Sequence, residues 1–199
     1  MEIVKPSVEL LSITPNALHL IEVCGRIAYQ SEADAELGPE PFVRKILKLG
    51  HESVIEHAVA TFRIVCDRGV THEIVRHRLA SYTQESTRYV NYKLGIKAIE
   101  PPGLTNEQRK YWIHAMQYAE GVYQSLIESG QKPQIARAVL PTCLKTEIAM
   151  TCNFREWRHF LRLRTASAAH PQMREIACAI AAILFRECPV CFSDFDFPS

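Results

Sequence analysis

The chain has 199 residues, 47% of them apolar and 23% charged, a composition that fits a globular protein and excludes a disordered one. A formal net charge of +1 argues against a general nucleic-acid binder, which carries a larger excess of base. No apolar run is long enough to span a bilayer, and MEIVKPSVELLSIT lacks the basic start and unbroken apolar stretch of a signal peptide. The expectation is one domain, residues 1–199, in the cytoplasm, with its seven scattered cysteines as free thiols.

Residues 2–13 read as a strand. From Pro15 to about Gln30, Leu18, Ile21, Val23, Cys24 and Ile27 recur near helical spacing, and Pro41 to Leu49 predicts a second helix that stops at Gly50. In residues 57–66, Ala58, Ala60, Phe62, Ile64 and Cys66 alternate as on a half-buried strand. Residues 69–78 look helical, 76–88 form a loop, and 89–92 suggest a short strand. Thr105 opens the clearest helix. Thr105 and Gln108 have capping-box spacing, Trp112, Ile113, Met116, Ala119, Val122, Tyr123, Leu126 and Ile127 form the apolar face, and Gly130 ends it. A short helix at 133–140 and a strand at 143–152 follow. Next come a helix at 153–164 capped by Asn153 and an Ala- and Ile-rich helix at 171–187 with Pro171 in its first turn. Strands mixed among helices without a βαβ rhythm predict an α+β fold.

Two stretches imitate a zinc protease and fail. HESVIEH and HEIVRH place their second histidines, His57 and His77, six and five residues after the first, whereas ligands on one helical face need i, i+4. Cys188-Pro-Val-Cys191 has no second pair at matching spacing, so no metal site is expected. The phosphate-binding glycine loops and the G-x-S-x-G elbow are absent.

On the 153–164 helix, Asn153, Trp157, Phe160, Leu161 and Arg164 share one face. Arg155, Arg158, His159 and Arg162 lie opposite and read as solvated surface. Arg164, in line with aromatic and aliphatic neighbours, needs a partner, either a structural acid or a ligand anion. Arg137, just before a proline stop, suits a helix C-terminus. The stretch RHRLASYTQESTR, residues 76–88, gathers three arginines and five hydroxyl side chains around one acid, Glu85. Arginine forks and hydroxyls suit phosphate, so a phosphate-bearing ligand is the better reading than an ion-paired loop.

Arg76-His77-Arg78-x-x-Ser81-x-x-x-x-Ser86-x-Arg88 resembles the signature of the flavin-dependent thymidylate synthases, matching every defined position. The resemblance extends through Gly50-His51-Glu52-Ser53-x-x-Glu56-His57, Arg137-x-x-Leu140-Pro141 and Asn153 to Arg164. It implies that family's fold: a mixed or antiparallel sheet flanked by helices, with a helical lobe. It implies methylation of dUMP to dTMP, with methylenetetrahydrofolate as carbon donor and FAD, reduced by NADPH, as hydride source.

By the same resemblance, His51, Ser53, Arg76, His77, Arg78, Gln84, Asn153, Arg155 and His159 contact FAD. Glu73, Arg76, Gln84, Glu85, Ser86, Thr87, Arg88, Arg137 and Arg164 contact dUMP, Arg137 from a neighbouring subunit. Arg164 is implied at the uracil edge, where a fixed cation favours loss of the N3 proton. Ser86 has no base placed to activate it, so it reads as a binding residue. The family also implies a homotetramer with active sites built by several subunits. His159, Gln84 and Glu73 depart from what some members carry there. The main competitor is an RNA-binding module using 76–88 and the basic helix face, which the near-neutral charge opposes. Another reading keeps nucleotide binding without redox chemistry.

Overall fold

The computed structural model describes residues 1–34 and 36–195. Strands β1 (Glu2–Val4) and β2 (Ser7–Ile13) precede helices α1 (Ala17–Tyr29) and α2 (Glu40–Lys48). A 3-10 helix (Glu52–His57), β3 (Val59–Asp67), α3 (Arg68–Ile74), β4 (Ala80–Gln84) and β5 (Lys97–Ile99) follow. Then come α4 (Asn106–Glu128), α5 (Pro133–Ala136) with a 3-10 turn (Arg137–Val139), β6 (Lys145–Asn153), α6 (Phe154–Arg164), α7 (Pro171–Glu187) and α8 (Pro189–Phe192). The fold is α+β, as expected. Among the described residues no helix is long and apolar enough to cross a membrane.

The chain forms two compact units. One comprises residues 1–7, 64–76 and 83–148, the other 8–63, 77–82 and 149–195. β1 and β5 pair in parallel, Glu2 opposite Lys97 and Val4 opposite Ile99. The other four strands form a sheet in the order β2-β3-β6-β4. Thr14 N donates to Val59 O (2.9 Å) and Arg63 pairs with Glu9, so β2 and β3 run antiparallel. Phe154 N donates to Ala58 O (2.8 Å) and the Thr61 and Thr151 hydroxyls meet at 2.9 Å, so β3 and β6 do too.

In the first unit, Ile96, Ala98, Met116 and Leu144 form a buried cluster, with Tyr92, Trp112, Leu140 and Cys143 packed on it. The α4 capping box forms as predicted. Thr105 Oγ1 accepts from Gln108 N (3.2 Å) and Gln108 Oε1 from Thr105 N (2.9 Å). In the second unit, Phe62 meets Trp157 edge-on at 5.1 Å, and Trp157 Nε1 donates to Ala60 O (3.1 Å). Helix α7 buries Met173, Ile176, Ala177, Ile180, Ala181 and Leu184, a stripe at helical spacing. Gly50 ends α2 with φ +75°, a conformation glycine adopts without strain.

Several expectations need correction. The strand expected over 2–13 is two strands in two sheets, divided at Pro6, which has no N–H to continue a ladder. The 76–88 loop contains β4. Residues 89–92 form no strand, and the missed strand is β5. The helix expected at 133–140 is one α turn followed by a 3-10 turn.

Candidate active site

The expected site residues divide between the units. Glu73, Arg76, Gln84, Glu85, Ser86, Thr87, Arg88 and Arg137 lie in the first. His51, Ser53, His77, Arg78, Asn153, Arg155, His159 and Arg164 lie in the second.

In the first unit, the signature leaves β4 at Gln84 and turns over Glu85–Val90. Val90 N and Tyr89 N both donate to Ser86 O, and Ser86 Oγ accepts from Arg88 N (3.3 Å). Gln84 Nε2 donates to the hydroxyls of buried Thr71 (3.0 Å) and Thr146 (3.2 Å). The Glu85 carboxylate takes the Tyr92 hydroxyl (2.6 Å) and the Lys145 ammonium (3.1 Å), and Arg68 Nη1 donates to its carbonyl (3.3 Å). Lys145 also bonds Glu147. Burial and the Glu85 bond push the Tyr92 phenol well above its ordinary range. Thr87 is buried and its Oγ1 accepts from Arg137 Nη1 (3.1 Å), so Arg137 reaches the turn of its own chain.

The one acid of the motif is thus held by Lys145 and Tyr92. Among the described residues no carboxylate pairs with the side chains of Arg76, Arg78 or Arg88, and all three are exposed. Arg68, Tyr92 and Lys145, which shape this turn, were missed from sequence. They lie 17, 7 and 60 residues from Glu85, and no motif marks them.

In the second unit, a cavity of about 730 Å³ is lined by Glu52, Glu56, Leu79, Asn153, Arg155, Glu156, His159 and Arg162. The 3-10 helix supplies the two glutamates. Glu56 holds Arg155 (2.6 Å), and Glu52 holds Arg162 (2.7 Å) and Arg158 (3.2 Å). The Arg162 hydrogen bond is the chief reason the Glu52 carboxyl sits below its ordinary range. Asn153 Oδ1 caps α6, accepting from Glu156 N (2.9 Å), which leaves its amide nitrogen for a ligand. His51 Nδ1 faces the Tyr29 hydroxyl at 3.1 Å, and Ser53 is exposed. Arg158 is a correction. The helix periodicity predicts a solvated face for it, yet its side chain is only 5% exposed and bonds Glu52, Asp194 and the Cys191 carbonyl.

His77 is also buried, its ring 4.9 Å from that of Phe160 and 5.8 Å from that of His159. Its Nδ1 faces Glu156 Oε1 at 3.4 Å, and its Nε2 accepts from Arg164 Nε at 3.0 Å. Burial first, then the Arg164 cation and His159, lower its pKa to about 4, so the ring is neutral near pH 7. Burial raises the Glu156 carboxyl. His77, Glu156 and His159 have the donor types of a metal site and lie within 4.8 Å of one another, a cluster that spacing rules overlook. The guanidinium already seated on His77 Nε2 opposes a cation there.

The family model described as "Thymidylate synthase complementing protein" matches residues 9–190. A flavin-dependent thymidylate synthase of Geobacter sulfurreducens is 34% identical over 198 residues, covering 94% of this chain and 85% of that one. The Pyrococcus horikoshii protein of the same name is 36% identical over 185 residues, covering 85% and 75%. In structure, the chain is similar to the UMP/dUMP methylase PolB from Streptomyces cacaoi. The TM-score is 0.84 at 24% identity, over 97% of this chain and 96% of that one, a likeness of fold. With the signature complete from Arg76 to Arg88, the chain is an enzyme belonging to the flavin-dependent thymidylate synthases.

Proposed function

We propose that the chain methylates dUMP at C5 to give dTMP, with methylenetetrahydrofolate as carbon donor. The observation that carries this is the set Arg76, Arg78 and Arg88, exposed and without carboxylate partners, in a family signature that is complete. Arg88, with Arg137 beside Thr87 on the same turn, binds the dUMP phosphate, and Gln84, Glu85 and Ser86 shape the turn that receives it. Glu73 and Arg76 also serve the nucleotide. Arg164 meets the uracil edge and stabilises the anion that forms at N3, the catalytic role in this reading.

The residues fit FAD in chemical type. The cavity beside Asn153, Arg155 and His159 is within the size range of cofactor sites, and offers an amide donor, a cation and a flat ring. His51, Ser53, Arg76, His77, Arg78 and Gln84 complete the FAD set. His77 acts there with both ring nitrogens already engaged, by Glu156 and Arg164. When bound, FAD supplies the hydride, taken in turn from NADPH. The match over 9–190 runs through both units, which supports one synthase domain spanning 1–199. The working form is a cytoplasmic homotetramer with active sites at subunit interfaces. Exposed Tyr111 and Tyr118 on α4 support such an association.

The test is a visible spectrum of the protein with FAD added, followed anaerobically by NADPH with and without dUMP. Bleaching of a bound flavin band, altered by dUMP, is expected, together with dTMP once the folate is supplied. A protein that binds no flavin refutes the reading and turns attention to RNA binding across a salt series.

A further inference from the structure

We propose that Glu156 is a positioning residue: acting through His77, it selects the tautomer that holds Arg164 and so sets the plane of the guanidinium. The inference rests on the assignment of Arg164 to the uracil edge. The chemistry leaves little freedom. An arginine Nε always carries its proton, so His77 Nε2, 3.0 Å away, must present a lone pair. In a neutral imidazole the single proton then sits on Nδ1, and the group facing Nδ1 is the Glu156 carboxylate at 3.4 Å.

His77 and Glu156 are each 6% exposed, so water does not readily replace either partner. The ring is held in place independently of these bonds. Phe160 packs on it at 4.9 Å, and the Tyr82 hydroxyl donates to the His77 carbonyl at 2.6 Å. Among the described residues, the titratable and charged groups facing the ring are Glu156, Arg164 and His159, with Tyr82 on the His77 carbonyl. Without an acceptor at position 156, nothing retains the proton on Nδ1. The other tautomer sets Nε2–H against the Arg164 Nε–H, two donors face to face, and the guanidinium turns away. Its Nη groups then leave the line in which they meet a planar acceptor.

Glu156 lies two turns before Arg164 on α6, and the ring between them comes from the signature itself. The R-H-R histidine thus has a task besides the flavin: it couples the site's key cation to a buried carboxylate. Asn153 completes the support, since its cap on Glu156 N fixes the first turn of the helix that carries both residues.

Two measurements test this. The first uses the unaltered protein, labelled with 15N-histidine, at neutral pH. Long-range 1H–15N correlation, with His77 assigned by its loss in His77→Gln, should place the proton on Nδ1 alone. A proton on Nε2, or on both nitrogens, overturns the proposal whatever the variants do.

The second is a mutant cycle read as kcat and KM for dUMP. Glu156→Leu should lower kcat by about ten- to a hundredfold, the scale of a misplaced catalytic group, with little change in KM. Glu156→Gln, whose carbonyl still accepts from Nδ1–H, should recover most of that loss. Glu156→Leu combined with Arg164→Ala should be no slower than Arg164→Ala alone. Arg164→Ala as fast as the parent would sink the uracil assignment and the inference with it. An impaired Arg164→Ala, with the Glu156→Leu loss adding in full, or with Gln no better than Leu, would leave the assignment standing and overturn the positioning role.

Discussion

Arg158→Met removes a buried charge while keeping an apolar stem of similar length. The wild-type guanidinium bonds Glu52 through Nε (3.2 Å), Asp194 through both Nη groups, and the Cys191 carbonyl through Nη1. Removing one partner of a buried ion pair costs ~3–5 kcal/mol, because the other partners stay behind unsatisfied. The three partners do not share that cost equally. Asp194 is 55% exposed and regains water, so its share is small. Glu52 keeps Arg162 at 2.7 Å. The buried Cys191 carbonyl and Glu52, whose side chain is 19% exposed, carry most of the loss, which puts it near the lower end, about 3 kcal/mol. For a chain of this size about 1 kcal/mol moves Tm by ~2–4 °C, so a fall of about 6–12 °C is expected. The control is Arg155→Met. Its bond to Glu56 is also short, 2.6 Å, but joins side chains 53% and 41% exposed, and its loss should stay within ~0.5 kcal/mol. Scanning calorimetry at one fixed protein concentration compares them, since assembly makes Tm concentration-dependent. Equal shifts for the two variants, or an unchanged Tm for Arg158→Met, would refute the burial argument.

Below neutral pH His77 should cost stability. Its folded pKa of about 4 lies below the ordinary 6.5, so the unfolded chain takes up the proton first as pH falls. Its contribution is full above about pH 6.5 and is lost towards about pH 4, on the order of 3 kcal/mol in all, and urea titrations of His77→Gln should lack that slope. Thr105→Ala removes the hydroxyl arm of the α4 capping box, leaving the Gln108 arm on the backbone N–H, and should cost ~1 kcal/mol in urea unfolding, with Thr105→Ser close to the parent. Trp157→Phe strips the donor from the Ala60 carbonyl at a buried contact, and a loss of about 1–3 kcal/mol is expected by the same titration.

What could be read from the sequence was what local pattern controls. The alternation through Ala58–Cys66 became the buried face of β3, and Thr105 with Gln108 formed the cap their spacing promised. The signature stood out because its residues are contiguous. Elements decided by distant partners were not legible. Residues 2–13 look like one strand, but the chain divides at Pro6 and β1 finds its partner at Lys97–Ile99. Strand β4 was hidden because the inward positions of its alternation include Tyr82 and Gln84, which carry no hydrophobic signal.

The two arginines of α6 show where a helical wheel stops. It groups Arg158 with Arg155 and Arg162 as one basic face, since it counts only rotation about the axis. The 3-10 helix at Glu52–His57 and the chain at Cys191–Asp194 cover part of that face and leave Arg155 and Arg162 outside. Arg164 is the opposite case. Its apolar surroundings showed that it needs a partner, and the choice looked like an acid or a ligand anion. One partner is a neutral imidazole, that of His77. That contact follows once the requirement is stated as a lone pair rather than a charge, because a partly buried arginine needs acceptors and a lone pair on nitrogen is one. Which nitrogen of His77 offers it is decided by a carboxylate 79 residues away in sequence, so the state of the imidazole is a property of the fold. Moving the ring proton to Nε2 would set two N–H donors against each other, so the proton on Nδ1 is the feature on which the contact between His77 and Arg164 turns.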